Sequence, residues 1–94
     1  SEPALNQVLA LMKEEPKLAV EIGGHTDNVG KSDYNAKLSD ARAASVVRWL
    51  VQHGIAASRL SSHGYGDTQP LVPNTSDENR AKNRRVELKR RDCR

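Results

Sequence analysis

Within its first 25 residues the chain changes the spacing of its apolar side chains, and that change fixes the class of fold. Leu5, Val8, Leu9 and Met12 recur at the i, i+3, i+4, i+7 spacing of an amphipathic helix over residues 4–15. Ser1 and Pro3 suit the start of that helix and Pro16 its end. Leu18, Val20 and Ile22 then alternate with Lys17, Ala19 and Glu21, the pattern of a strand with one buried face. A third segment, opened by Ser32 or Asp33 as cap and running to about His53, carries Leu38, Ala43, Val46, Val47 and Leu50 on one helical face. Gly54 follows as a left-handed stop.

The rest of the chain is shorter in its elements. Residues 58–66, "SRLSSHGYG", predict a strand ending in glycines. Residues 67–80 hold two prolines and many turn formers and predict a long loop. A short helix near 77–82, capped by Ser76, closes that loop. Val86 and Leu88 alternate with Glu87 and Lys89 in a last strand. Alternating helices and strands imply an α/β sandwich with helices on one face of a sheet. At 94 residues the chain is one domain, 1–94, with 89–94 as a basic tail. The first helix has no strand before it, so an edge strand is expected ahead of Ser1.

Charge is unevenly placed. The formal net charge is +3, but residues 80–94 hold eight basic side chains against two acids, a net +6 that leaves −3 for the rest. A basic end of this kind admits a nucleic-acid module built on residues 80–94. The aromatics Tyr34, Trp49 and Tyr65 are not interleaved with it, so no base-stacking platform accompanies the charge. The single cysteine, Cys93, cannot form an internal disulfide. No apolar run approaches the ~20 residues that span a bilayer.

The stretch "GGHTDNVG", residues 23–30, ends the first strand and has the composition of a site. Its glycines are expected to let the strand turn and a ligand approach, with His25 framing the loop. Metal binding would need three or four ligands, and His25 and Asp27 have no Cys or His at a standard spacing. A phosphate loop fails on count, with five residues between Gly24 and Gly30, and Asp27 would repel the phosphate. A nucleophile and base could be drawn from Ser39, His25 and Asp27, or from Ser61 and His63, but no nucleophile elbow is present. Charge pairing remains. Asp27 lies in the loop and Arg42 on the helix that leaves it, so the two could flank one shallow pocket. A zwitterion would place its ammonium on Asp27 and its carboxylate on the planar fork of Arg42. An internal Asp27–Arg42 salt bridge without ligand satisfies the same spacing equally well.

"GHTDNVG", "YNAKLSDARAASVVRWL", "RLSSHGYGDTQP" and "NRAKNRRVEL" together resemble the OmpA C-terminal-like domain, from about Val20 to Leu88. The resemblance implies a β-α-β-α-β-β mixed sheet whose first strand is missing here. It implies a non-catalytic, cofactor-free domain at the periplasmic face of the outer membrane of Gram-negative bacteria. The partner it implies is peptidoglycan, held through the diaminopimelate residue of the stem peptide. Carried over by motif, Asp27 and Arg42 grip the ligand, while Thr26, Asn35, Asn83, Arg84 and Arg85 line or support the groove. One departure is Asn79, where the family usually has Gly; a positive φ there would be tolerated by Asn. A second is the unpaired sheet edge left by the missing strand, which predicts a homodimer by edge pairing or exchange of elements.

Overall fold

The structure, a computed structural model, describes residues 2–91; Ser1 and Cys93 lie outside the described residues. The element order is α1 (Glu2–Glu14), β1 (Val20–His25), α2 (Ser32–Gln52), a 3-10 turn (Ala57–Arg59), β2 (Leu60–Gly66), α3 (Asp77–Asn83) and β3 (Arg85–Arg90). The three strands form one mixed sheet in the order β2-β1-β3. β1 and β2 run parallel, which requires a crossover, and α2 provides it. β3 returns antiparallel to β1, with Ile22 opposite Leu88.

Alternation along the sheet sorts the side chains. Val20 and Ile22 turn to the face covered by α1 and α2, where they meet Met12, Leu18, Ala43, Leu50, Ile55 and Leu60 in one core. With no Phe in the chain, this core is aliphatic throughout. Arg59, in the 3-10 turn, fastens its edge: its guanidinium donates to the carbonyls of Met12, Glu15 and Leu18 at 2.8–2.9 Å. The carbonyls of Met12 and Leu18 at the end of α1 and the entry to β1 gain a donor in this way, and that of Glu15, which also accepts from Leu18 N–H at 3.0 Å, gains a second.

Gly23 and Gly24 belong to β1 and do not turn the chain. Gly24 and Gly64 form a cross-strand pair lying directly beneath α2. A Cβ on Gly24 would sit 2.2 Å from the Ser39 carbonyl oxygen, and one on Gly64 2.3 Å from the Asp40 backbone nitrogen. The absent side chains let α2 lie against the sheet backbone. Polar bonds lock that contact. Gly64 N–H donates to Asp40 Oδ1 at 3.1 Å, and Gly66 N–H to the fully buried Ser39 Oγ at 2.9 Å.

Several local expectations are refined. Lys31, in extended backbone, is the N-cap of α2 and offers no side-chain cap, whereas Ser32 Oγ donates to Asp67 at 3.1 Å. Asp33 remains in the first turn, where it complements the helix dipole. Gly54 is left-handed with φ 103°, as the stop requires. Ser76 caps α3 by accepting from the Asn79 N–H at 3.1 Å. Asn79 is therefore helical, and no described residue other than glycine has positive φ. Lys89 and Arg90 lie in β3 rather than in a tail.

β3 forms one edge of the described sheet. Arg91 N–H donates to Ala19 O at 2.8 Å. With the observed register, this directs the backbone groups of Glu87 and Lys89 to β1, and those of Val86 and Leu88 to the outer edge.

The close α2–sheet contact has a direct test in urea unfolding. Gly24→Ala drives a Cβ into backbone that cannot yield and should cost about 3 kcal/mol or more, whereas Gly23→Ala meets only the ring of Tyr65 at 3.0 Å and should cost about 1 kcal/mol. Equal losses would mean that α2 does not rest on Gly24.

Candidate functional site

The loop after β1 starts as an extension of the sheet, with Thr26 N–H donating to Gly66 O at 2.8 Å. Buried side chains then fix its path. Thr26 Oγ1 donates to the Asp27 carbonyl at 2.8 Å. Asn35, on the first turn of α2, donates to the carbonyls of Asp27 at 3.3 Å and Val29 at 3.0 Å. A buried amide thus holds the loop to the helix that follows it.

Asp27 itself is 7% exposed. Its Oδ1 accepts from Val29 N–H at 3.0 Å, and its Oδ2 accepts from Arg84 Nη1 at 2.6 Å. The Val29 N–H, followed by the Arg84 guanidinium, holds the carboxyl below its ordinary 3.8 against the opposing effect of burial. The internal partner of Asp27 is therefore Arg84, and the Asp27–Arg42 salt bridge allowed by the spacing does not form.

Arg42 is exposed and makes no side-chain ion pair among the described residues. It shares with Arg84 a groove of about 360 Å³ between α1, α2 and β3, floored by Leu5, Val8, Ile22 and Val46. Arg84 is the link between two features: it bonds Asp27 directly, and it lines the same groove as Arg42, a groove whose lining does not include Asp27.

The other residues singled out by motif have structural duties. Asn83 is fully buried. Its Oδ1 accepts from Leu71 and Val72 N–H at 2.8 and 3.1 Å, and its Nδ2 donates to Val72 O and Asn74 Oδ1 at 2.9 and 2.8 Å. These four bonds use the whole capacity of the amide, so Asn83 shapes the 71–74 loop and has nothing left for a ligand. Arg85 binds Glu87 at 2.5 Å and the carbonyls of Asn83 and Gln69 at 3.1 Å. Thr26 and Asn35 are likewise spent on the loop backbone. The structure bonds Asp27 to Arg84 and sets Arg84 on the groove that Arg42 also lines, while Thr26, Asn35, Asn83 and Arg85 hold the surrounding backbone.

His25 ends β1 with 2% exposure, stacked on Tyr65 at 5.1 Å between ring centroids. Its Nε2 lies 3.6 Å from Glu87 Oε1, and its Nδ1 has no partner. Burial, then the charge of Arg85, pushes its pKa below 6.5, against the pull of Glu87. No group of three potential metal ligands occurs among the described residues. Ser39 is turned to the α2–β2 contact, away from any role as nucleophile. The Arg84–Asp27 pair escapes sequence reasoning because its partners are 57 positions apart. Its only sequence signal is the run of two arginines after Asn83.

The chain matches the OmpA family over residues 1–84. It belongs to that family. It is 46% identical over 76 residues to outer membrane porin F of Pseudomonas fluorescens, covering 81% of this chain and 23% of the porin. It is 42% identical over 84 residues to the peptidoglycan-binding protein ArfA of Mycobacterium tuberculosis, covering 89% of this chain and 26% of ArfA. The chain thus spans about a quarter of the length of these relatives. Among solved structures, the peptidoglycan-associated lipoprotein of Burkholderia pseudomallei superposes with a TM-score of 0.85 at 30% identity, covering 92% of this chain and 73% of that one. The mixed sheet with packed helices is the OmpA-like fold.

The two depressed pKa values give the domain a defined acid limb. His25 takes up a proton more readily unfolded than folded, so its contribution is complete above pH 6.5 and is lost as the pH falls below that value. Asp27 contributes fully above pH 3.8 and loses its contribution as the pH falls through its folded value. Urea unfolding of His25→Gln as a function of pH should lack the first decline, and that of Asp27→Asn the second. Unchanged limbs in both variants would remove these groups as the cause.

Proposed function

We propose that this chain binds peptidoglycan without catalysis, by gripping the diaminopimelate residue of the stem peptide, and that it anchors an envelope protein to the cell wall at the periplasmic face of the outer membrane. The observation that carries this reading is a firmly held, nearly buried carboxylate, Asp27, bonded to Arg84, which lines one groove with a second arginine, Arg42. The side-chain end of diaminopimelate presents an ammonium and a carboxylate on one carbon. Asp27 suits the first, and the forks of Arg42 and Arg84 the second. The names of ArfA and of the peptidoglycan-associated lipoprotein support the same partner. No helix among the described residues is long and apolar enough to cross a membrane.

The nucleic-acid reading of residues 80–94 draws less support. Arg80 is paired with Asp77, Arg84 with Asp27 and Arg85 with Glu87, so these three arginines of the basic run are already compensated. A hydrolase reading built on Ser39 draws less support, since Ser39 is fully buried and its Oγ accepts from Gly66 N–H.

The outer edge of β3 supports the dimer expected from the sequence. Val86 is 42% exposed there, and the backbone groups of Val86 and Leu88 face outward.

Two measurements check these readings. Arg42→Ala should lower co-sedimentation with diaminopimelate-type cell wall by at least about tenfold in affinity, the size expected for one charge-assisted fork; undiminished co-sedimentation would remove Arg42 from the clamp. Light scattering of the chain should give the mass of a dimer, and a monomer would overturn edge pairing.

A further inference from the structure

The clamp contains a competitor for its own ligand. Asp27 cannot move to meet an ammonium: its backbone carbonyl is held by Thr26 and Asn35, and its Oδ1 by Val29 N–H. Only Oδ2 is left, and Arg84 Nη1 sits on it at 2.6 Å. Arg84 is held far less firmly. Its side chain is 48% exposed, and its bond to Asp27 is the one hydrogen bond or ion pair that side chain makes among the described residues. The adjacent Arg85, by contrast, is tied to Glu87, Asn83 and Gln69. A half-exposed cation with a single bond thus covers a firmly held anion.

An ammonium that reaches Oδ2 must displace Arg84, and a guanidinium expelled without a counter-ion is left at a loss. The nearest alternative acid lining the groove is Glu87, which is already bonded to Arg85 and faced by His25. The replacement anion must therefore arrive with the ligand. Arg42, which has no ion pair among the described residues, lies on the same groove and marks where that anion would settle.

We propose that Arg84 is the specificity-determining residue of the clamp: it leaves Asp27 when the ligand's ammonium arrives and moves onto the ligand's carboxylate beside Arg42. The exchange replaces one internal ion pair by two intermolecular ones. It admits a zwitterionic end group and rejects a lone ammonium, because only the zwitterion rehouses the displaced arginine. The inference rests on the peptidoglycan reading above and assigns to Arg84 the choice between diaminopimelate-type and lysine-type stem peptides.

The test uses two tripeptides, L-Ala-γ-D-Glu-meso-diaminopimelate and L-Ala-γ-D-Glu-L-lysine, which differ only in the carboxylate at the side-chain end. Titration calorimetry of the chain should show the diaminopimelate peptide bound at least about tenfold more tightly, the weight of one charge pair. In Arg84→Gln the two affinities should move in opposite directions. The diaminopimelate peptide weakens for want of the second fork, and the lysine peptide tightens because Asp27 is open. A purely structural arginine would weaken both alike, and a parallel fall, or no gain for lysine, overturns the exchange. Should Arg84→Gln not fold, Arg84→Lys carries the test: it keeps a cation on Asp27 but lacks the fork, so binding of the diaminopimelate peptide should drop with the lysine peptide unchanged, and equal drops overturn the proposal. If the unmodified chain binds neither peptide, the peptidoglycan reading itself fails, an outcome distinct from a clamp that binds both without preference.

Discussion

The contact of α2 with the backbone of β1 and β2 is the constraint on which the rest of the structure depends. Gly24 and Gly64 present no side chains to the helix, and Ser39 and Asp40 bond to β2 backbone across the gap they leave. This close seating sets the height of the helix over the sheet. The position of Asn35, one turn from the start of α2, follows from it, and so does the path of the loop that Asn35 holds. Arg42, further along the same helix, is brought over the groove by the same contact. A looser helix would leave Asp27 and Arg42 on elements with no fixed relation.

The electrostatics of the site follow from its frame. Most of the polar residues around Asp27 are spent on backbone: Thr26 and Asn35 on the 26–29 loop, Asn83 on the 71–74 loop, and Arg85 partly on carbonyls. Such bonds are strong in a buried setting because the groups would otherwise be left unsatisfied. They leave a small number of charges with freedom to change partners. Asp27 is fixed and holds its charge firmly, Arg84 is paired but half exposed, and Arg42 has no ion pair among the described residues. A firmly bonded loop and exposed arginines are complementary features of the site.

The local elements were readable because their signals are local. The 3.6-residue spacing in α1 and α2, the alternation in β1 and β3, Ser76 as cap and Gly54 as stop each depend on residues within one or two turns. The N-cap of α2 was not readable in the same way: Ser32 looks like a cap, but its hydroxyl turns to Asp67, 35 positions away. Gly23 and Gly24 invited a reading as a turn and are strand, because the demand on Gly24 comes from a helix that passes over it.

The sequence by itself determined the order of helices and strands, the aliphatic core, and the membership in the OmpA family carried by several spaced motifs. It also marked Asp27 and Arg42 as the two residues most worth comparing. Only the tertiary structure decided whom Asp27 binds. Pairing over 57 positions depends on β3 returning antiparallel to β1, which puts Arg84 beside the loop, and no periodicity within either segment encodes that return. The same step separated ligand-facing charge from supporting amide, since Asn83 and Asp27 are alike in sequence as polar residues in motifs. They differ in that every hydrogen bond of Asn83 is satisfied within the fold, whereas one oxygen of Asp27 is held by a cation that can leave.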